Sequence, residues 1–390
     1  MTFTSQLCRE WQLLKADSWL KALALWLPVV LFITLWAIFS AGIARDLPIG
    51  VVDFDHSRLS RQVVRQYDAS PAIAVTRAFT SVEQGSAAMR AGEIYALVII
   101  PNELEKKTLL GQAPDITTFY NSQFILIAKL VNSAIVKAQG TLNAQVDTLH
   151  NMAGGNAVPV QALGQAVPIR SQVTPLYNSN SHYGQFLVSA TIPALWQVLI
   201  VVTTILALAS ECRQQGIKTW LQDAPVRHLL AKLLPYTVLF WLHGVLFLWG
   251  LYIQLGWPMH GSWFILVLAQ LLMVIACQGV AALFFLFPLD VTKAMSLAAG
   301  FTAPAFAFVG VTFPATDMPM LAQVWRAMLP VTHYLDVQVH QVNHGQTIIE
   351  ALPALGILSI FILAIIVAML RARALAKPAS DSNNGEGVEA

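Results

Sequence analysis

Apolar runs long enough to cross a lipid bilayer recur along this 390-residue chain, and they narrow its fold more than any other feature. A helix rises 1.5 Å per residue, so about 20 apolar residues cross a hydrocarbon core about 30 Å thick. Inside that core only a helix or a closed barrel satisfies the backbone. Charged residues make up 11% of the chain, the hydrophobic set 56%, and the mean hydropathy is +0.61. A soluble domain carries about 25% charge, so these values read as a polytopic helical membrane protein.

Six spans are expected, at 22–44, 185–210, 229–254, 263–287, 294–313 and 347–370. Short loops set orientation through Lys and Arg. Arg9, Lys15 and Lys21, then Arg213, Lys218, Arg227 and Lys232, then Lys293, and finally Arg371, Arg373 and Lys377 all fall on one side of a six-span arrangement. That side reads as the cytoplasm, with both termini on it. The loop 255–262 has no basic residue other than histidine and 311–346 has only Arg326, so both are read as facing outward. Ala41-Gly42-Ile43-Ala44 resembles a processing site after a signal sequence. An uncleaved anchor suits the long apolar stretch and long polar leader better. The leader, residues 1–21, reads as an amphipathic helix lying along the inner membrane surface. Phe3, Leu7, Trp11 and Leu14 form its apolar stripe, and Arg9, Glu10 and Lys15 lie elsewhere on the turn.

The polar insert 45–183 alternates strand and helix patterns: strands at 49–54, 72–79, 95–100 and 115–120, and helices at 57–67, at 82–91 and after Pro101-Asn102-Glu103-Leu104. This predicts a small extracytoplasmic α/β domain with βαβ units. A long amphipathic helix follows at 122–152, with Ile125, Leu126, Leu130, Ile135, Val136 and Leu142 as its apolar stripe. The segment 154–175 reads as a flexible return to the bilayer, and the tail 371–390 as disordered beyond Lys377.

Several motifs were weighed for chemistry. Asp53-Phe54-Asp55-His56 could bind a divalent cation or serve an enzyme site, but a strand end followed by helix-capping carboxylates explains it more simply. Cys8, Cys212 and Cys277 show no metal-ligand spacing, and the histidines form no HExxH pair or nucleophile triad. His243 lies inside a span, where an ionisable group is a functional hypothesis by default. A neutral imidazole donating to a neighbouring helix is the simpler reading. Gln197, Gln270 and Gln278 read as interhelical hydrogen bonds that can also lie along a pathway. Gly279, Ala281 and Ala282, like Ala298, Ala299, Gly300 and Ala303, allow helices to approach closely. No phosphate-binding G-x-x-x-x-G-K-[ST] loop occurs, so ATP-driven work needs another subunit. The charge pattern does not point to nucleic acid.

The inner loop 211–228 is the most informative segment. After Gly216 a short helix could place Ile217, Trp220 and Leu221 toward the membrane and Lys218, Gln222 and Asp223 outward, stopped by Pro225. The order of leader, span, insert, spans and this loop resembles the membrane subunit of ABC-2-type exporters. Gly216, Leu221 and Pro225 match the spacing of that family's loop, and Lys232-Leu233-Leu234-Pro235-Tyr236 is similar to the start of its third span. The outer loop 310–346 is similar to the family's re-entrant segment, through Gly310-Val311-Thr312-Phe313-Pro314, then Met318-Pro319, then Leu329-Pro330-Val331-Thr332-His333-Tyr334. The insert resembles the extracytoplasmic domain of larger bacterial members, through Ile49-Gly50-Val51-Val52-Asp53, Ala96-Leu97-Val98-Ile99-Ile100-Pro101 and Gly111. The loop departs from the family pattern at two points: its acid pair is reduced to Glu211, and Ile217 replaces the customary Thr.

The resemblance implies an exporter permease in a bacterial inner membrane, without its own ATPase site or cofactor. ATP and Mg would be bound by a partner ATPase subunit, coupled through Glu211, Gly216, Trp220, Leu221 and Pro225. It also implies a second permease copy or a sibling, and the insert would either dock a periplasmic membrane-fusion adaptor or gate the exit. Gln197, Thr203, Phe301 and Phe308 are expected to line a path for an amphiphilic drug or lipid. Gly310, Phe313, Pro314, Pro319 and Pro330 shape the outer loop. Two other classes fit less well: a membrane receptor sensing through the insert, and a transferase using Asp53 and Asp55.

Overall fold

The structure is a computed structural model that describes residues 3–153, 158–167, 176–178, 181–311 and 313–376. The chain divides into two compact units, Met1–Gly42 with Pro175–Ala390, and Ile43–Thr174. The second unit is shorter than the expected 45–183. Its C-terminal neighbours are tied to the spans instead: Tyr183 N donates to Gly42 O (2.6 Å), and Asn178 and His182 bond each other.

In the first unit, five helices have the length and composition to cross a membrane: Ser18–Ile38, Tyr183–Gln215, Pro225–Gln254, Trp263–Leu286 and Ile348–Ala376. The first is capped by Asp17, whose carboxylate accepts from Trp19 N and Leu20 N, so it begins before residue 22. Only 11% of its apolar window is buried, against 61% for Trp263–Leu286. Tyr183–Gln215 is buried most, at 72%, and Trp263–Leu286 packs against the second, third and last spans. Small residues set the spacing: a Cβ on Gly279 would stand 2.8 Å from Ile365 N, and Ala276, Ala281 and Ala282 are fully buried.

The expected fifth span, 294–313, is a broken helix. It runs Val291–Thr302, turns at Ala303–Pro304 and resumes as Ala305–Phe308. Pro304 has no N–H to continue the ladder. The first piece reaches only about 18 Å, well short of the hydrocarbon core. Its end at Gly310 has φ +87°.

In the second unit, four strands lie in the order β2-β1-β3-β4: β1 Leu47–Asp53, β2 Ile73–Phe79, β3 Ala96–Ile100 and β4 Thr117–Tyr120. β1 pairs in parallel with β2 and β3, and β4 runs antiparallel to β3. Parallel neighbours need crossovers, which are supplied by helices Arg58–Asp68 and Val82–Arg90. One sheet face is covered by Arg58–Asp68 and by the long helix Ile125–Ala153, through Val63, Val131, Ile135 and Leu142. The other face is covered by Val82–Arg90, through Ala88 against Val52 and Leu97. Ile125–Ala153 also has the length and composition of a span, yet its buried stripe is the sheet's own cover.

The carboxylates after β1 act as caps, with a partition the sequence did not suggest. Ser57, not Asp53 or Asp55, caps Arg58–Asp68 by accepting from Ser60 N. Asp53 accepts from Asp55 N, His56 N and Ser60 Oγ. Asp55 reaches the distant helix Leu104–Leu109, accepting from Leu104 N (3.0 Å) and Glu105 N (3.2 Å). Burial alone would raise the Asp55 carboxyl. Hydrogen bonds from Ser57 and from the amides of Glu105, Leu104 and Glu103 outweigh it and hold the group below the usual range. Part of the expected flexible return is helical, Pro159–Ala166, while 154–157, 168–175 and the tail 377–390 lie outside the described residues.

Two outcomes follow from this packing. Gly279→Val should destabilise the bundle by about 1–3 kcal/mol, read as a lower unfolding temperature in lipid nanodiscs. Asp55→Ala should cost about 1 kcal/mol and speed amide exchange first in Leu104–Leu109; unchanged exchange there would refute the capping role.

Candidate functional site

The second span continues past the expected 210 to Gln215, so Glu211 lies in its last helical turn rather than in a loop. Gly216 then adopts φ +77° with ψ 149°, a backbone region open essentially to glycine. That residue breaks the helix and starts the short helix Ile217–Leu221. Asp223 turns the chain again at φ 67°, and Pro225 opens the third span. Trp220 and Leu221 point into the apolar bundle and are buried. His228 Nδ1 and Trp220 O lie 2.6 Å apart, which ties the short helix to the third span. Arg213, Lys218, Gln222, Asp223 and Arg227 are exposed.

Behind this face lies a buried charge cluster. Lys232, on the third span, is 1% exposed, Glu211 0% and Glu10 5%. Lys232 Nζ donates to Glu211 Oε1 (2.9 Å) and Ser210 Oγ (3.2 Å) and pairs with Glu10 Oε2 (2.7 Å). Two of its protons are hydrogen-bonded, and the contact with Glu10 is an ion pair without a hydrogen bond. Glu211 Oε2 also accepts from Arg9 Nη2 (3.0 Å) and Gln215 Nε2 (2.8 Å). Arg9 further donates to Gln214 Oε1 (3.2 Å). Two carboxylates and two cations compensate one another, the condition under which buried charge is tolerated. Burial pushes Glu10 up to about 7 against the pull of Lys232, and Glu211 beside it adds to the rise.

This cluster sets the orientation of the leader helix Phe3–Ala16. Its inward row is Gln6, Glu10 and Leu14, one helical turn apart. Trp11, expected on the apolar stripe, is 47% exposed and lies beneath Lys15 Nζ. The side chain of Phe3 lies outside the described residues. Glu10 on this row faces Lys232.

The residues expected to couple to an ATPase thus divide. Glu211, Trp220 and Leu221 form the support, while Gly216 and Pro225 shape the turns. Lys232, Arg9 and Glu10 were not singled out from sequence. The signal was present: Lys232 is an ionisable side chain inside a span.

The expected path residues lie on the second span and on the broken helix that packs against it. Gln197 and Thr203 are buried on the second span, and Gln197 Oε1 accepts from Val331 N (3.1 Å) at the start of helix Pro330–Val339. Phe301 meets Phe284 and Trp325, and Phe308 is half-buried. In the outer loop, Gly310 has positive φ, Phe313 is exposed, and Pro319 and Pro330 precede and open the helices Met320–Met328 and Pro330–Val339. Pro314 lies before a single turn, Ala315–Asp317, and Thr312 lies outside the described residues. Carbonyls freed at the break between the two helices are satisfied locally. Thr332 Oγ bonds Arg326 O and Leu329 O, and His333 Nε2 meets Ala327 O. Arg326 and Asp336 brace the pair at 2.6 and 2.8 Å.

A family model described as ABC-2 family transporter protein matches residues 19–371. No curated protein and no solved structure matches the chain.

Removing Lys232 leaves two carboxylates buried together, so Lys232→Met should cost about 3–5 kcal/mol, with Glu10→Gln plus Glu211→Gln restoring much of the loss. The cluster also predicts a pH dependence. Glu10 titrates higher in the folded chain than the usual 4.5, so its contribution to leader docking is complete below that value and is lost as pH rises through about 7. Amide exchange in Phe3–Ala16 should accelerate across that window, and Glu10→Gln should flatten the profile. A wild-type profile that is already flat would contradict the assignment.

Proposed function

The chain belongs to the ABC-2 family of transporter proteins, and on that premise we propose that it is the membrane-spanning subunit of a bacterial ABC exporter. It carries an amphiphilic cargo, a drug or a lipid, out across the inner membrane, with both termini cytoplasmic. ATP and Mg are bound by a separate ATPase subunit, and two permeases, either two copies of this chain or a sibling pair, sit above two such ATPases.

One observation carries the mechanism. Leader, second span and third span meet at Lys232, which holds Glu10 and Glu211 together. A push on the exposed side chains Arg213, Lys218, Asp223 and Arg227 therefore acts on three helices at once. The difference in contact between this face and the open or closed ATPase pair supplies the coupling free energy. The spans then shift to pass cargo between the two permeases, with Gln197, Thr203, Phe301 and Phe308 near its route. The unit Ile43–Thr174 lies outside the membrane, where it docks a periplasmic adaptor or gates the exit. Deleting 50–155 separates these uses: docking predicts assembly retained with adaptor binding lost. The transferase reading is not supported, since Asp53 and Asp55 are committed to backbone amides and Ser60.

The test is co-purification with the ATPase encoded alongside, followed by hydrolysis and export in liposomes. Arg213→Glu with Lys218→Glu should leave the complex assembled and lower cargo-stimulated hydrolysis about tenfold, the effect of losing about 1.4 kcal/mol of coupling. Leu221→Asp, which buries a carboxylate in the bundle, should abolish export. Normal stimulation in the first variant, or nucleotide hydrolysis by this chain alone, would refute the proposal.

A further inference from the structure

The unit Ile43–Thr174 contains a cavity that the transport reading leaves unused. It lies between helices Arg58–Asp68 and Leu104–Leu109 and the long helix Ile125–Ala153, with a volume of about 320 Å³. Small-molecule sites begin at about that size. Its floor is the domain's own core, since Val63, Leu104 and Leu142 are all buried. Gly111, at φ +73°, follows Leu104–Leu109 and turns the chain so that residues 112–116 form one wall.

The lining is chemically one-sided. Leu59, Ile116 and Val146 extend the aliphatic floor, and among the described residues lining it there is no Lys, Arg, Phe, Tyr or Trp, the one ring being the imidazole of His150. Three of the polar groups form one row of the long helix, Gln139, Asn143 and Asp147, four residues apart, with His150 one turn beyond and Thr108 and Gln112 on the opposite wall. The row is ordered from the core outward. Tyr67 donates to Gln139 Oε1 (2.7 Å), and Gln139 Nε2 donates to Asn143 Oδ1 (3.2 Å). Burial raises the Tyr67 phenol to about 12, so it remains a donor at neutral pH. The Asn143 amide N–H groups and the Asp147 carboxylate are left at the mouth. Asp147 is exposed and has no hydrogen bond or ion pair among the described residues.

We propose that this cavity binds an aliphatic amine, with its alkyl body against Val63, Leu104 and Leu142 and its ammonium group on Asp147. A carboxylate at the mouth of an aliphatic cavity favours a cation, and the absence of lining Lys or Arg disfavours an anion. Without the face of a Trp, Tyr or Phe for cation–π contact, recognition rests on N–H donors, so a primary amine fits better than a quaternary one. The Asn143 amide suits an oxygen next to the amine. The site lies wholly within one unit and does not depend on the exporter reading.

The test uses the full chain in lipid nanodiscs, irradiated with an octylamine that carries an alkyl diazirine, then digested and mapped by mass spectrometry. Labelling should concentrate in 104–116 and 139–150, and be competed by octylamine but not by octanoate. Asp147→Asn should weaken labelling about tenfold, the worth of one charge-assisted hydrogen bond, while Asp147→Glu should retain it. Val63→Phe should remove it by filling the floor, with circular dichroism confirming that the fold persists. Labelling unchanged in Asp147→Asn, competed equally by octanoate, or spread evenly over the spans would overturn the proposal.

Discussion

A charge taken out of water must be matched where it sits, and Lys232 is the point at which this requirement organises the membrane unit. Its ammonium group has three protons and meets Glu10, Glu211 and Ser210. Those partners come from the leader helix and the end of the second span, so one desolvated cation fixes the mutual position of three elements. The leader turns a polar row inward, with Glu10 against Lys232 and Trp11 exposed. Arg9 completes the balance at the edge, where Glu211 would otherwise face one cation alongside a second carboxylate.

The same requirement governs the segment 303–339, with neutral groups in place of charges. The chain breaks at Ala303–Pro304 and again at Leu329–Pro330, and each break frees backbone groups that an apolar setting cannot hydrate. Thr332, His333 and Gln197 supply the partners at the second break. Gln270 joins Gly244 O to the Tyr334 hydroxyl, and Gln278 joins Thr237 to Leu233 O. His243 Nε2 meets Leu25 O, tying the weakly buried first span to the third. Polar side chains inside the bundle thus act chiefly as connectors between helices.

The unit Ile43–Thr174 obeys water-soluble rules. Its sheet buries both faces, and its carboxylates terminate helices. Asp55 illustrates the limit of local reading. The Asp53-Phe54-Asp55-His56 run does signal caps, but the helix that Asp55 caps begins at Leu104, and nothing in the local pattern indicates that partner.

Sequence alone indicated five of the six expected spans, the α/β alternation and the break in the chain at 211–228, because these depend on composition and on periods of two and 3.6 residues. It also indicated close packing at Gly279 and the Pro-broken outer loop. Tertiary structure alone decided which face of the leader turns inward, that Glu211 is buried against Lys232, and that the helix after Val291 breaks before it can span. Each of these depends on a pairing across distant sequence, Glu10 with Lys232 or Gln197 with Val331, or on whether neighbours can absorb a proline's missing bond. Such pairings exist only once the helices are packed, since the energy of a buried polar group is set by what stands opposite it.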